Sequence, residues 1–353
     1  HSVNERLILS ILRNDGPNAK AEIARQTGLS AQSASVIMRR LEKQGLIERC
    51  APVRGKVGQP SVPMRLAPSG ALFFGLKVGR RSAELLLVDF LGSILDRIDI
   101  TYRYPDPEQT LDFVQKGVET LSAKLSPSLR KRVSGMGISI PGYLWEWARI
   151  VGERPETLAA WRDRDMREDI AAKFDFPVFR QNDASCACGA ELVFGGQDFP
   201  REYMYIYVGY FIGGGVVLNG TLFTGPTGNA GAIAPLPVPA SISETGQLID
   251  VASLSGLERA LADAGHQTSS LWQRPLSWDI DPDILNDWMD RASKGLAHAI
   301  VASCAVIDFE LIVLDGWLPA EVRSELVART AKVLPSLNLA GLIRPEIREG
   351  KML

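Results

Sequence analysis

Gln32, Ser33, Ser35, Arg39, Arg40 and Lys43 fall on one side of a segment whose other side carries Ala34, Ile37, Met38 and Leu41. That apolar set follows the i, i+3, i+4, i+7 spacing of a buried helical stripe. Amides and hydroxyls near a helix start can exchange hydrogen bonds with base edges. Cations further along can neutralise phosphates. Together they are the chemistry of a helix entering the major groove of double-stranded DNA. The alternative is a small helical adaptor whose charged face is merely solvated.

Such a helix has to be held in place, and the flanking residues predict how. Ala21, Ile23, Ala24 and Leu29 predict a preceding helix. Gly28 stands where that helix needs a left-handed residue, and Ser30 stands at the N-cap of the next one. Gly45 predicts the end of the second helix, and Leu46, Ile47 and Glu48 begin a strand. Arg54, Gly55, Lys56, Val57, Gly58, Gln59 and Pro60 then form a basic hairpin tip, with Arg54 and Lys56 as further phosphate contacts. Pro63, Met64, Arg65 and Leu66 return as the partner strand, which completes a wing. Upstream, Leu7, Ile8, Ile11 and Leu12 predict a first helix ending near Asp15-Gly16-Pro17. Residues 1–70 therefore read as a winged helix-turn-helix domain. They hold 11 Lys/Arg against 5 Asp/Glu, whereas the remainder holds 28 against 36. The surplus of cations is confined to the part with the groove-reading helix, as binding to a phosphate backbone requires.

The chain has 353 residues, a formal net charge of −2, 46% apolar and 23% charged residues. That length calls for two or three domains of an ordinary globular protein. No run of 18 apolar residues appears, and no basic-then-apolar leader pattern, so a cytoplasmic protein with no membrane partner is expected. Four cysteines, Cys50, Cys186, Cys188 and Cys304, fit a reducing compartment, and the last three lie in apolar helical segments.

Beyond Gly70 the pattern is strands and then helices, twice over. Strands are predicted at Leu72–Val78, Ser82–Phe90 and Ser93–Tyr102, a helix at Pro107–Lys124, and strands at Val133–Ile140 and Pro177–Arg180, with a helix from Ala184. In the second half, Tyr203–Val208 and Val216–Leu218 read as strands around Ile212-Gly213-Gly214-Gly215, with a turn at Asn219-Gly220. Helices are predicted at about 244–264, 281–307 and 319–334, with a buried strand at Glu310–Leu314. A meander followed by an α/β crossover, given twice, predicts a two-lobed α/β fold of the actin-like, ribonuclease H-like sugar-kinase type. Lobe 1 is expected over 71–181 and lobe 2 over 182–353, with the segment near 338–353 returning to lobe 1.

The motifs carry a resemblance. Gly135-Met136-Gly137-Ile138-Ser139-Ile140-Pro141-Gly142, Pro177 to Ala184 with Gly189 and Glu191, and above all Ile212 to Gly220 followed by Gly228-Asn229-Ala230-Gly231 resemble the ROK family of repressors and sugar kinases. The match covers essentially all of the chain, in the regulator branch with an amino-terminal winged helix. In kinases of the family the Asp matching Asp183 removes the proton from the sugar hydroxyl, and the Asn matching Asn182 fixes the sugar. The resemblance implies an effector site at Pro141, Gly142, Asn182 and Asp183. An Asn-Asp pair between strand and helix is also an N-cap, which is the competing reading.

The departures from the family pattern imply a lost activity. Its first phosphate loop, Asp, apolar, Gly, Gly, Thr, Lys, is matched by Lys77-Val78-Gly79-Arg80-Arg81-Ser82. Its second, Gly-Thr-Gly, is matched by Gly209-Tyr210-Phe211, and the late Gly-Gly pair by Asp315-Gly316-Trp317. Phosphoryl transfer is mostly positioning and charge neutralisation, so these changes remove what it needs. Ala240, Ile242 and Gln247 fall at three zinc cysteines and Pro235 at the zinc histidine. Neither zinc nor ATP is expected, and that loop should hold by packing alone. Two sugar-contacting glutamates fall at Ala232 and Ile249, so a plain hexose should bind weakly. Trp145, Trp147 and Trp161 are either a rim near the sugar cleft or packing.

The expectation is a non-enzymatic transcriptional regulator that binds operator DNA as a dimer or tetramer. A small-molecule effector, a sugar or sugar derivative, would favour one closure of the lobes and so change the spacing of the reading helices. The competing classes are an active carbohydrate kinase fused to a DNA-binding domain and a ligand-blind DNA-binding dimer.

Overall fold

A computed structural model describes residues 2–52, 62–142, 144–146, 154–196, 199–273 and 277–351. The chain divides into two compact units, His1–Asp183 and Ala184–Leu353.

The first unit opens with α1 (Val3–Asn14), α2 (Lys20–Thr27) and α3 (Ala31–Lys43). Their ends are set by local chemistry. Gly28 takes φ 68° after α2, and the Ser30 hydroxyl accepts from the Ser33 amide at 3.1 Å to start α3. At the far end the Leu46 amide bonds the Leu41 carbonyl at 3.0 Å and the Gly45 amide the Glu42 carbonyl at 2.9 Å. That Schellman arrangement needs the left-handed Gly45, whose φ is 73°. A 13-residue helix is marginal on its own in water. Met38 and Leu41 are fully buried beside Ile8 and Ile23, and each contributes about 1.5–3 kcal/mol, so packing fixes α3. Next, β1 (Ile47–Arg49) pairs antiparallel with β2 (Met64–Leu66), the stem of the wing. An extra bridge, Asn18 to Met64, ties the stem to the turn between α1 and α2.

The rest of this unit is a sheet of β3 (Leu72–Val78), β4 (Ser82–Val88) and β5 (Ile94–Thr101), followed by α4 (Pro107–Ala123), α5 (Pro127–Arg130), β6 (Val133–Ser139), α6 (Met166–Ala171) and β7 (Val178–Gln181). The strand order is β5-β4-β3-β6-β7, three antiparallel and then two parallel. Leu76, Leu85, Val114 and Ile138 lie at its core.

The second unit repeats this plan. It holds α7 (Asp183–Phe194, from Ala184 onward), β8 (Tyr203–Val208), β9 (Ile212–Leu218), β10 (Thr221–Phe223), α8 (Leu248–Ala252), α9 (Leu254–Asp263), α10 (Pro282–Cys304), β11 (Leu311–Gly316), α11 (Ala320–Val333) and β12 (Glu346–Glu349). The order β10-β9-β8-β11-β12 matches the first sheet strand for strand.

Two expectations need correction here. Gly213, Gly214 and Gly215 belong to β9 and not to a loop. A β-carbon at Gly215 would stand 2.3 Å from Cβ of Cys188 on α7, and one at Gly214 would stand 2.9 Å from the Gly231 carbonyl. The glycines let a helix and a turn press on the strand from opposite faces. The second correction concerns the carboxyl-terminal segment: β12 pairs in parallel with β11, so residues 346–349 extend the second sheet and do not return to lobe 1.

Candidate functional site

The face of α3 expected to meet DNA is open. Gln32, Ser33, Arg39, Arg40 and Lys43 are exposed and Ser35 is half-buried. The Ser30 and Ser33 hydroxyls lie 2.9 Å apart, so Ser33 is part of the cap as well as of the surface. Arg39 folds back weakly, its Nε 3.4 Å from the Ser35 carbonyl. Arg40 instead reaches Glu5 at 2.6 Å. In the wing stem Arg49 pairs with Glu42 at 2.7 Å and Arg65 with Glu48 at 2.6 Å, pairs that solvent-exposed side chains exchange cheaply. Arg54 and Lys56 lie outside the described residues.

The four residues expected at an effector site come together. β6 and β7 are parallel neighbours, Ser139 opposite Gln181, and the Ile140 amide bonds the Gln181 carbonyl at 3.2 Å. Pro141-Gly142 therefore leaves the end of one strand beside Asn182-Asp183 at the end of the next. A β-carbon at Gly142 would lie 3.7 Å from Nδ2 of Asn182. α7 starts at Asp183, so the pair also sits at a helix N-terminus. The carboxyl ends of parallel strands are where open α/β sheets form ligand crevices. Of the three tryptophans, Trp161 is 4% exposed and donates Nε1 to the Pro105 carbonyl at 2.9 Å, a core residue. Trp145 packs half-buried on the same core, and Trp147 lies outside the described residues.

The three loops matched to nucleotide binding are tied up internally. Between β3 and β4 the Gly79 amide donates to the Ser82 carbonyl at 2.9 Å, and the Tyr102 hydroxyl lies 2.8 Å from both the Gly79 and Ser82 carbonyls. Burial pushes the Tyr102 phenol up from its ordinary value, so it remains a donor. Between β8 and β9 the Gly209 and Tyr210 carbonyls accept from Leu254 and Ser255, each at 3.0 Å, and the Ile212 amide bonds the Ser253 hydroxyl at 3.0 Å. The Tyr210 ring meets Phe211 edge-on at 4.7 Å and Trp272 at 5.6 Å. Asp315 is fully buried and accepts from the Tyr205 hydroxyl at 3.0 Å and the Arg323 guanidinium at 3.2 Å, while Trp317 donates Nε1 to the Leu271 carbonyl at 2.7 Å.

The loop matched to zinc binding is not held by packing alone, as the sequence led us to expect. Ser243 accepts from the Gly246 and Gln247 amides at 2.9 and 3.1 Å and donates to Asp250 at 2.7 Å, and both the amide and the hydroxyl of Thr245 donate to Asp250. A Ser-x-Thr followed by Asp five residues later was the signal available in sequence. Among the described residues no three His, Cys, Asp or Glu side chains converge to hold a metal ion. Nor is any described helix long and apolar enough to cross a membrane.

Comparison with known proteins bears on the two portions of the chain. Residues 73–324 match the ROK family, and residues 2–48 match a winged helix-turn-helix DNA-binding model. An uncharacterized protein of Sinorhizobium fredii is 26% identical over 330 residues, covering 92% of this chain and 81% of its own. The xylose repressor of Bacillus subtilis is 26% identical over 240 residues, which is 67% of this chain and 60% of the repressor. Among solved structures, a ROK family transcriptional regulator described as a homolog of the Escherichia coli Mlc protein superposes with a TM-score of 0.74 at 20% identity, covering 99% of this chain and 92% of its own. The chain belongs to the ROK family, and a winged helix-turn-helix DNA-binding domain precedes its sugar-kinase-like portion.

Proposed function

We propose that the chain represses carbohydrate-related genes, binding operator DNA through α3 and the wing as a homodimer or a tetramer built from dimers. The observation that carries this reading is the exposed face of Gln32, Arg39 and Lys43 on a helix whose caps and buried stripe hold it rigidly. A two-fold dimer then reads half-sites spaced by whole helical turns. The name of the Bacillus subtilis xylose repressor supports both the sign of regulation and the class of gene. A cytoplasmic location follows from a DNA partner.

The kinase-like portion serves assembly and sensing in this reading, without ATP, zinc or turnover. Support comes from Arg80 where a phosphate loop needs bare backbone, from Tyr210 and Phe211 in the second loop, and from Ala240, Ile242, Gln247 and Pro235, none of which can ligate zinc. The effector is a sugar or sugar derivative held at Pro141, Gly142, Asn182 and Asp183. It acts by binding one conformation better than another. Selection of bound duplexes from a random pool, with and without a metabolite extract, tests the reading. Enrichment of a palindromic site that the extract weakens is expected. A protein that enriches no sequence overturns it.

A further inference from the structure

Two guanidinium groups join the winged helix to the first sheet, one reaching in each direction. Arg13, in the last turn of α1, donates Nη2 to the Phe90 carbonyl at 2.9 Å and lies 5.3 Å from the centre of the Phe90 ring. Phe90 sits between β4 and β5 and packs against the core of the winged helix. From the other side Arg132, just before β6, donates Nη1 to the Gln44 carbonyl at 2.6 Å and to the Gly70 carbonyl at 3.3 Å. Gln44 is the C-cap of α3. A helix leaves its last carbonyls unpaired and its carboxyl end partly negative, so a cation there both satisfies an acceptor and meets the dipole. Gly45 leaves the room: a β-carbon on it would stand 2.6 Å from Nη2 of Arg132. The Arg132 carbonyl is itself fixed by the Leu72 amide at 2.8 Å, at the start of the sheet.

On the Phe90 side the joint is also closed by backbone, the Phe90 amide bonding the Pro68 carbonyl and the Ala67 amide the Leu46 carbonyl, each at 3.0 Å. Arg132 adds the contact that reaches the carboxyl end of α3 itself. A cavity of ≈ 580 Å³ opens at this joint, bordered by Gly45, Ser69, Ser128 and Arg132.

We propose that Arg132 is a positioning residue for DNA reading: it caps the recognition helix from the kinase-like portion and so sets the angle at which α3 meets the groove. The proposal rests on the DNA-binding reading above. It is tested on the full chain with the selected operator and a non-specific duplex, comparing Arg132→Ala, Arg132→Lys and the double variant Arg39→Ala with Lys43→Ala. Arg132→Ala should weaken operator binding about tenfold, a small part of the span between specific and non-specific affinity. Non-specific affinity and salt slope should stay at wild-type values, because Arg132 neutralises no phosphate. Arg132→Lys should restore most of the loss, since an ammonium can reach the Gln44 carbonyl. The double variant should lower the salt slope on both duplexes. Unchanged operator affinity in Arg132→Ala overturns the proposal. So does an equal loss on both duplexes, whether it comes with a lower salt slope (a direct phosphate contact) or with a lower melting temperature (a general structural role). A wild-type chain that binds neither duplex removes the DNA-binding reading itself, and the proposal with it.

Discussion

Arg40 on the recognition helix closes a 2.6 Å ion pair on Glu5, a residue of the first helix that is 5% exposed. Glu5 also accepts from the Ser2 amide at 2.7 Å, while the Ser2 hydroxyl accepts from the Glu5 amide at 3.3 Å, a capping box at the start of α1. The bond from Ser2, more than the charge of Arg40, holds the Glu5 carboxyl below its usual range. Arg40 thus spends its charge on holding α3 against α1, although its spacing reads as a phosphate contact.

This separates three cations that sequence alone groups together. Replacing Arg39 and Lys43 by Ala should reduce the slope of log affinity against log salt by about 0.9 for each phosphate no longer neutralised. Arg40→Ala should lower the melting temperature and change the slope by less than that amount. Binding measured at four or more salt concentrations, beside thermal melts, decides it. A slope reduced by a whole phosphate's share in Arg40→Ala, with an unchanged melt, would return that residue to the DNA surface.

Gln32 is exposed one residue into α3 and takes no part in its cap, so it is the side chain best placed to read a base. Gln32→Ala should relax sequence preference at one position of each half-site, with discrimination there falling by about 1–3 kcal/mol. The salt slope should not move. Ser30→Ala should instead cost about 1 kcal/mol of stability through the lost cap, and weaken all sequences alike. Selection from a random pool with each variant distinguishes the two patterns.

The winged helix was legible because its determinants are local. Gly28, Ser30, Gly45 and a 3.6-residue stripe each act within a turn or two of their own position. The repeated meander and crossover was legible for a related reason, since each copy is written in consecutive segments. What escaped depends on distant partners. Gly213 to Gly215 look like a loop until Cys188 and Gly231 are seen to press on them. Glu346-Ile347-Arg348-Glu349 has one apolar residue and becomes a strand only by pairing with β11. Arg132 reads as an ordinary surface arginine, because the carbonyl it caps lies 88 residues earlier. Pro141, Gly142, Asn182 and Asp183 were legible as motifs, but their meeting at adjacent strand ends needed the β6–β7 pairing.

ATP with Mg²⁺ should leave the melting temperature unchanged, and no sugar should be phosphorylated. A ligand present at a hundred times its dissociation constant adds about 2.7 kcal/mol, well within the range of a thermal-shift measurement. The Gly79 amide already donates to the Ser82 carbonyl, so a phosphate would have to displace that bond to take this donor. Turnover that disappears in Asp183→Asn would establish the kinase reading instead.

Acid should loosen the 243–250 loop through Asp250. Burial pushes this carboxyl up, but hydrogen bonds from Thr245 and Ser243 outweigh it and hold it below its ordinary value. A carboxylate depressed in the folded state contributes stability that is complete above the unfolded value, about 3.9, and is lost as pH falls through the lower folded value. The contribution is about 1 kcal/mol, below the usual range for bonds to a charged acceptor because the site is partly open to solvent. Asp250→Asn should therefore melt below wild type at pH 7, since its amide cannot accept all three donors. The gap should narrow as pH drops below about 4, where wild type loses the same interaction. Melts of both proteins from pH 7 to pH 3 test this. No gap at pH 7 would mean the loop is held by its packing around Ile242 and Leu248, with Asp250 a bystander, and a gap that stays constant down to pH 3 would mean that the loss does not depend on the charge of the carboxyl.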